Sequence, residues 1–529
     1  MARWRILTYT EARLSNFTMT TLIKNILLID GSGQPAVKAD VLIKNEKIAA
    51  IGSFPRYQAD TVIDGVGAYL APGFIDINTH SDRYLTIFSN PGQRHFLLQG
   101  ITTIIGGQDG ISLAPLLYGS LDLQSYWTDP YQINIDWHTV EEFFDVLRRR
   151  SIGVNFGTFV GHSTIRHAIT GNDFRDPTVK ELGVLYYMID EAMQDGAFGV
   201  SFDLQSAIAS LTPGKEVKSI LEIVERHKGL GMFKVRSGSD TSTVMRDVSE
   251  HFLPSVNEIV SLSKETGARA QISNFSSLKG LEAGYRQAID LIEESAAVAD
   301  VYFNIHPFTR SVIPVVAFLP LWAQRGGMDE IAKNLEVPDL IVKIAEDMPK
   351  FDDGALVIYD APGFEYLVGK TLKDLGDDRG TTMPETLLTL MRMTKLRATL
   401  LYDNLSIDEL GKALVCDRSI FASSGASFAN DRRQVSRVHL FENTIPRFLE
   451  IVASDKAITI EMAVRKMTSI PAQRLGIKNR GMIREGYFAD LVIFRDTAIE
   501  AVFVNGVAAV RDGTLTESMN GRILRHAHE

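Results

Sequence analysis

A long alternation of short apolar runs with amphipathic segments constrains this chain more than any other feature of its sequence. It begins after Pro72-Gly73 and continues to about residue 475, with runs such as ITTIIGG and VYFNIHPF separated by segments such as VEEFFDVLRRR. Strands that alternate with helices indicate βαβ units and parallel strands. Eight such apolar runs are present. They predict an α/β protein with a (β/α)8 TIM-like barrel over residues 72–475.

The two ends of the chain carry a different pattern, in which short strands are separated by Gly and Asp turns. TLIKNILLIDGSG begins near Thr20, and ADLVIF and AVFVNGVAAVRDG follow Arg480. Such strands are typical of an antiparallel sheet. Residues 20–71 and 476–529 are therefore predicted to build one small β-sandwich domain from both chain ends.

Two further segments fall outside these domains. The block at about 326–415 is longer than a simple crossover and contains helical patterns, LIVKIAEDM and PETLLTLMRMTKLRATLL, which predict an inserted helical subdomain. Residues 1–19 are predicted to be a disordered arm. Their first part has no apolar core and no small-residue cleavage site, so it is not interpreted as a signal peptide.

The composition argues against several classes of function. The 529 residues include 55 Lys and Arg against 65 Asp and Glu, a net charge of −10, and no Lys/Arg-rich run, so no nucleic-acid partner is expected. The single Cys416 excludes an intrachain disulfide. No apolar stretch of about 18 residues is present, so no membrane partner is expected. The expected partner is a small-molecule substrate and the expected location is the cytoplasm, while the oligomeric state stays open.

Several segments carry a family resemblance, among them APGFIDINTHSD, LLQGITTIIGGQDGISLAPL, FVGHSTIRHAITG and MTSIPAQRLGIKNRGMIREGYFADLVIF. On these the chain resembles the amidohydrolase superfamily, in its N-acyl-D-amino-acid deacylase (D-aminoacylase-like) branch, from about Thr20 to Arg525. The resemblance implies the barrel, the β-sandwich and a small insert over the barrel mouth. It also implies amide hydrolysis assisted by zinc, which is bound at the strand ends and activates a water.

The sequence departs from the family pattern at the strand ends that hold metal in the relatives. The first strand of the family ends in His-x-His, whereas here Asn78 replaces one imidazole and His80 keeps the other. Lys234 and Asn274 stand where the fifth and sixth strands of the family have His. Ser424 replaces the carboxylate of the family's Ser-Asp-Gly. Most of the metal ligands implied by the resemblance are therefore replaced.

Two side chains that bind zinc well remain, His80 and Asp109, the second in the loop GGQDG. A catalytic zinc usually has three protein ligands. The ammonium of Lys234 has no lone pair to donate, and its charge repels a cation. The sequence therefore predicts that the site uses no cofactor, with zinc as the alternative.

The residues left at the strand ends suggest acid/base chemistry. Lys234 is predicted to act as an electrophile or general acid, and His80 or Asp109 as a general base. The alternative is that the Lys234–Asp109 pair is a structural remnant of a metal site. Polar rather than apolar replacements on different strands favour the catalytic interpretation.

Other polar residues near the predicted barrel mouth are expected to bind the substrate: Asn78, Asn274, Arg236, His306, His162, Ser424 and Arg310. For His162 a structural hydrogen bond is an equal alternative. Asp82 either orients His80, as carboxylates do for imidazoles, or is a solvated loop acid.

Three functions remain open on this basis. The first is a metal-independent amidohydrolase-fold enzyme that acts on a small acylated amino-acid-like, amide or related carbonyl substrate by cyclisation, elimination, isomerisation or hydrolysis. The second is a zinc-dependent N-acyl-D-amino-acid deacylase. The third is a non-catalytic homologue that serves as a partner subunit.

Overall fold

The computed structural model describes residues 19–118, 121–172, 175–206, 209–237, 248–349, 355–428 and 443–526. The predicted arm, apart from Met19, lies outside these residues. Five strands come first: β1 (Thr20–Leu28), β2 (Val37–Lys44), β3 (Lys47–Gly52), β4 (Thr61–Asp64) and β5 (Tyr69–Pro72). The next are β6 (Phe74–Asp76), β7 (Ile101–Gly106), β8 (Asn155–Thr158), β9 (Val160–Gly161), β10 (Gly199–Asp203), β11 (Leu230–Lys234), β12 (Arg269–Ile272), β13 (Ser277–Leu278) and β14 (Val301–Ile305). The remaining ones are β15 (Ser311–Pro314), β16 (Leu356–Asp360), β17 (Thr399–Tyr402), β18 (Leu405–Ser406), β19 (Ser419–Phe421), β20 (Leu491–Arg495), β21 (Ala498–Val504), β22 (Val507–Arg511) and β23 (Thr514–Leu515).

The α-helices lie mainly between these strands. The first eight are α1 (Thr86–Ser89), α2 (Arg94–Leu97), α3 (Val140–Arg150), α4 (His162–Thr170), α5 (Val179–Gln194), α6 (Gly214–Arg226), α7 (Val248–Thr266) and α8 (Glu282–Glu294). The others are α9 (Gly327–Asn334), α10 (Pro338–Asp347), α11 (Leu372–Arg379), α12 (Met383–Met393), α13 (Leu410–Val415), α14 (Thr444–Asp455), α15 (Ile460–Met467) and α16 (Ser469–Leu475). None of those in the described ranges is long and apolar enough to cross a bilayer.

The two ends of the chain share one nine-stranded sheet. Its order is β23-β22-β21-β20-β5-β1-β2-β3, and β4 pairs with β1. The ends meet where β20 runs antiparallel to β5, with Val492 opposite Ala71. Exposure alternates along β4, as expected for a strand in a sheet with one covered face. The two-layered sandwich itself stays a prediction.

The middle of the chain forms parallel strands connected by helices. One sheet has the order β6-β7-β8, and a second has the order β19-β14-β12-β11-β10-β9. All neighbouring strands within them run parallel. The strands are almost completely buried, as expected when helices cover a parallel sheet. The molecule is therefore a mixed α/β protein, and the carboxyl ends of these strands collect at one edge.

The connecting helices are fixed by local sequence and by one apolar face. Helix α5 begins at a capping box, in which the Thr178 hydroxyl accepts from the Glu181 N–H and the Glu181 side chain accepts from the Thr178 N–H. Its buried residues recur at helical spacing and belong to the main hydrophobic core: Leu185, Met188, Ile189, Ala192 and Met193.

The segment predicted as a helical insert at 326–415 also contains a sheet. Strands β15, β17 and β16 pair antiparallel, and residues from Ile313 to Leu400 form a hydrophobic core of their own. Strand β17 lies inside the run that was expected to be helical. Helix α12 ends at Met393, and β17 begins at Thr399. The strand was missed because the periodicity of a short apolar run does not distinguish a strand from a helix.

Candidate active site

Five of the residues predicted for the site are placed at the carboxyl ends of the parallel strands. His80 follows β6, Asp109 follows β7 and Lys234 is the last residue of β11. Asn274 follows β12, and Ser424 follows β19. A backbone bridge between Thr79 and Gly425 places the segments after β6 and β19 side by side. The strand-end positions read from the sequence therefore meet in space.

The carboxylate of Asp109 is the centre of the cluster. Its Oδ2 lies 3.1 Å from Nη2 of Arg83, 3.7 Å from Nζ of Lys234 and 3.8 Å from Nε2 of His80. Each of these four residues is at most 6% exposed. One buried carboxylate thus faces two cationic side chains and one imidazole.

The loop from Gly106 to Ser112 holds Asp109 in place. Asp109 has a left-handed φ of 50°, and a Cβ at Gly107 would meet the carbonyl oxygen of Phe159 at 2.0 Å. The Ser201 hydroxyl donates to the Gly107 carbonyl at 2.5 Å and accepts from the Gly110 N–H at 3.0 Å. The carboxylate is therefore positioned by backbone contacts that leave this loop little freedom.

Two amides and a hydroxyl complete the polar wall. Nδ2 of Asn78 donates to Oδ1 of Asn274 at 2.9 Å, and Nε2 of His80 lies 3.2 Å from Oγ of Ser424. Within the described ranges, Oδ1 of Asn78 and Nδ1 of His80 are buried with no hydrogen-bond partner. Both atoms therefore lack the hydrogen bond that usually accompanies the burial of a polar atom.

Burial and nearby charges shift the pKa values of Asp109 and His80. Burial opposes ionisation of Asp109, but the charges of Lys234 and Arg83 outweigh it and hold the pKa of Asp109 well below its usual range. Burial, reinforced by the charge of Arg83, holds the pKa of His80 well below its ordinary value. Near neutral pH the cluster therefore contains an ionised carboxylate and a neutral imidazole.

A further carboxyl lies beneath this cluster. Asp76, the last residue of β6, accepts from the backbone N–H groups of Asn78 and Ser423. Burial raises the pKa of Asp76 to about 7, and these hydrogen bonds only partly oppose the rise. Through these hydrogen bonds, Asp76 connects the segments that follow β6 and β19.

The cluster combines side chains that can bind zinc with side chains that carry positive charge. Across the described residues, no group of three or more His, Cys, Asp or Glu side chains is arranged to hold a metal ion. His80 and Asp109 are the two side chains of the cluster that can coordinate zinc. Oδ2 of Asp109 already faces the two cations Arg83 and Lys234. A divalent ion beside Asp109 would lie next to both of these positive charges.

The remaining predicted residues divide into two groups. His306 and Arg310 line the cavity above the cluster together with Asn274 and Ser424. Arg236 is turned away from it, because its guanidinium donates to Glu258 at 2.8 Å and to two backbone carbonyls.

His162 is also held elsewhere, with Nε2 2.8 Å from Oε1 of Glu216, which accepts from Arg166 as well. This is the structural hydrogen bond named as the alternative for His162. A part in substrate binding stays a prediction for both His162 and Arg236. The solvated loop position considered for Asp82 is wrong, since its carboxylate is buried and accepts from the Gly107 N–H at 2.5 Å.

Arg83 and Trp127 were missed by the sequence analysis. Arg83 donates to the carbonyl of Gln108 at 2.9 Å besides facing Asp109, and its guanidinium lies 5.1 Å from the ring centre of Trp127. A charged residue three positions after His80, in the segment between β6 and α1, was the available signal for Arg83. Trp127 lies in a segment without periodicity, so the sequence offered no signal for it.

The cluster separates two adjoining cavities, both lined by Arg83, Asp109, Trp127 and Lys234. The first is polar and adds His80, Asn274, His306, Arg310, Ser423 and Ser424. The second is largely apolar and adds Leu123, Tyr126, Pro314, Val316, Ala317 and Ile331. A molecule spanning both would bring its middle against Asp109 and the two cations.

Comparison with known proteins relates the fold and the sequence to one group of enzymes. A family model described as "Amidohydrolase family" matches residues 430–510. The D-aminoacylase of Alcaligenes xylosoxydans xylosoxydans is 28% identical over 519 residues, which cover 94% of this chain and 96% of that protein. A crystal structure of D-aminoacylase matches with a TM-score of 0.76 at 24% identity, over 96% of this chain and 99% of the other.

A second solved structure extends the comparison to a complex with metal. It is the N-acyl-D-glutamate deacylase from Bordetella bronchiseptica, complexed with zinc and a phosphonate inhibitor. It matches with a TM-score of 0.75 at 22% identity, over 96% of this chain and 99% of the other. These findings support the resemblance drawn from the sequence: along nearly its whole length, the chain is similar to the D-aminoacylase and N-acyl-D-amino-acid deacylase branch of the amidohydrolase superfamily.

Proposed function

We propose that the protein is a metal-independent enzyme of the amidohydrolase fold that acts on the carbonyl group of a small acylated amino-acid-like substrate. The comparisons support amidohydrolase activity in general. One observation carries the finer proposal: Lys234 and Arg83 face the Asp109 carboxylate at the strand ends where the family resemblance implies metal. In this proposal, fixed cationic side chains take the part of the metal's positive charge.

The protonation states support a role for each residue. His80 is buried and neutral, so its imidazole can accept a proton from water or from a carbon next to the carbonyl group. Asp109 is a poor base because its carboxylate is stabilised by both cations, and it orients them instead. Lys234 donates a hydrogen bond to the oxyanion that develops on the carbonyl oxygen and supplies the proton for the leaving group.

The two adjoining cavities suggest how such a substrate is held. Arg310 and His306 line the polar cavity, where a substrate carboxylate would find a guanidinium and an imidazole. Val316 and Ile331 line the apolar cavity, which suits an acyl chain or an apolar side chain. The scissile or reacting carbonyl would then lie between them, beside Lys234.

We also infer the architecture that the family resemblance implies. In this inference, residues 72–475 close into an eight-stranded barrel, residues 20–71 and 476–529 form a β-sandwich domain, and 326–415 forms an insert. The inference is supported by the succession of β8 and β9, which join the two parallel sheets along the chain, and by the Thr79–Gly425 bridge between their other edges.

Turnover of single-site variants tests the proposal. Lys234→Ala and Asp109→Asn are each expected to lower kcat on N-acyl-D-amino acids, or on related carbonyl compounds that the wild type converts, by about 100-fold or more. Lys218→Ala is the control, because Lys218 forms an exposed ion pair with Glu265. Thermal unfolding should remain a single cooperative transition in all three variants. Full turnover by both site variants would contradict the assigned roles.

A zinc-dependent deacylase is the second candidate, and the similarity to a zinc-bound deacylase favours it. His80 and Asp109 are the residues that would contact the metal. Metal analysis of protein purified without added zinc separates the two candidates, combined with turnover after dialysis against a chelator. We expect full turnover and no stoichiometric zinc. Stoichiometric zinc whose removal abolishes turnover would establish the deacylase instead.

A further inference from the structure

A second charged cavity lies at the opposite ends of the parallel strands. Arg269 is the first residue of β12, Asp300 directly precedes β14, and Arg418 directly precedes β19. These positions are amino ends, whereas the candidate active site lies at the carboxyl ends. Arg474, from α16, completes the cavity, which encloses about 480 Å³. That volume falls within the range of small-molecule sites, roughly 300–1,000 Å³.

Positive charge dominates the lining of this cavity. Three guanidinium groups, those of Arg269, Arg418 and Arg474, share the space with one carboxylate, that of Asp300. Oδ1 of Asp300 lies 2.6 Å from Nη1 of Arg474 and 3.4 Å from Nη1 of Arg418. One carboxylate oxygen therefore contacts two cations. With three guanidinium groups and one carboxylate, the cavity has an excess of two positive charges.

The guanidinium groups are held in place by other contacts. Those of Arg474 and Arg418 lie 4.3 Å and 4.8 Å from the ring centre of Tyr302. Arg474 also donates to the Ala270 carbonyl at 2.7 Å, and Arg269 donates to the carbonyls of Lys228 and Gln473. Pre-positioned guanidinium groups lose little side-chain entropy when they bind an anion.

Much of the hydrogen-bonding capacity of these groups is unused. Each guanidinium carries five N–H donors, and the three together make seven hydrogen bonds within the described part of the chain. Arg474 is 4% exposed, and its Nε has no hydrogen-bond partner among the described residues. Arg474 is therefore a buried cation with an unpartnered donor, and it lines the cavity together with two further guanidinium groups.

We propose that this cavity is a binding site for a phosphate-class oxyanion, formed by Arg269, Arg418 and Arg474. Guanidinium groups bind tetrahedral oxyanions through pairs of parallel hydrogen bonds, and several of them around one cavity favour a dianion over a singly charged ion. The site is separate from the candidate active site and does not depend on the function proposed for it.

Calorimetric titration of the full chain with inorganic phosphate tests the proposal, against chloride at the same ionic strength. We expect saturable binding by the wild type. Arg269→Gln and Arg418→Gln should each weaken it about tenfold or more, because each removes a charged hydrogen-bond donor. Two variants are used so that a folding defect in one leaves the other informative, and circular dichroism verifies both.

The control is Arg447→Gln, since Arg447 pairs with Glu450 on the exposed side of a helix. It should bind phosphate like the wild type. Phosphate bound only at the cationic active-site cavity would show equal affinity in the wild type, Arg269→Gln and Arg418→Gln, and that result would overturn the proposal. Absence of saturable binding by the wild type would overturn it as well.

Discussion

At the scale of single residues, the chemistry of the candidate site depends on which groups surround Asp109. Lys234 places one cation beside this carboxylate at a strand end, and Arg83 adds another at 3.1 Å from the same carboxylate. Both cations favour the ionised form of Asp109, and Arg83 also disfavours protonation of His80. The sequence offered His80 or Asp109 as the general base, and these pKa shifts support the proposal that His80 has that role.

The pH dependence of turnover should report this arrangement. If His80 is the base, kcat/KM falls as the pH drops through its lowered pKa, because protonation removes the lone pair. Arg83→Gln removes one of the influences that lower the pKa of His80, so the acidic limb should move to higher pH.

Profiles of kcat/KM against pH for the wild type and Arg83→Gln measure the shift, with a substrate that does not titrate in the range. Arg148→Gln is the control, because Arg148 forms an exposed ion pair with Asp145 within α3. An acidic limb that stays in place, or moves to lower pH, would show that His80 is not the base.

At the scale of elements, the loop between Gly106 and Ser112 determines where the carboxylate points. Ser201, on β10, contacts both ends of the turn that carries Asp109. Ser112, at the end of the loop, also accepts from the Gly161 N–H. The position of Asp109 is thus set by neighbouring strands rather than by its own residue type, which a pattern of apolar runs does not show.

Ser201 should therefore act as a positioning residue. Ser201→Ala is expected to lower kcat about tenfold with a smaller change in KM, since the loop loses the hydroxyl that contacts Gly107 and Gly110. The loss of a buried hydrogen bond should also cost about 1 kcal/mol of unfolding free energy.

Ser255→Ala separates the two effects, because Ser255 makes its hydrogen bond to His251 within α7. It should lower stability by a similar amount and leave kcat unchanged. Steady-state kinetics and urea unfolding of both variants provide the measurements. Equal loss of kcat in the two variants would indicate a general effect of destabilisation rather than positioning.

Sequence patterns also predicted elements better than they predicted side-chain direction. The strand-end rule brought His80, Asp109 and Lys234 together, because all parallel strands end at the same edge. Arg236 lies two residues after Lys234, the last residue of β11, yet its side chain points toward Glu258. Beyond a strand end the period of two no longer fixes side-chain direction, so the sequence did not show that Arg236 points toward Glu258.

At the scale of the whole molecule, one buried polar network connects the terminal sheet to the parallel strands. Arg480 pairs with Asp490 and donates to Asn505 at 2.7 Å, and Asn505 donates from its backbone to Asp490 at 2.8 Å. Asn155, at the start of β8, donates to Asp490 at 3.1 Å and accepts from Asn505 at 2.9 Å. The chain ends and the middle of the chain therefore share a cluster that neither forms alone.

This network should couple the two regions in unfolding. Removing one member of a buried ion pair leaves the other charge without its partner, at a cost of about 3–5 kcal/mol. Asp490→Ala should therefore lower the free energy of unfolding by that amount, because Arg480 and Asp490 are each 5% exposed. Glu500→Ala is the matched control in the same sheet, since its ion pair with Arg495 is exposed and should be worth at most about 1 kcal/mol. Scanning calorimetry with urea unfolding measures both changes. Equal destabilisation by the two substitutions would show that the buried network does not hold the terminal sheet against the parallel strands.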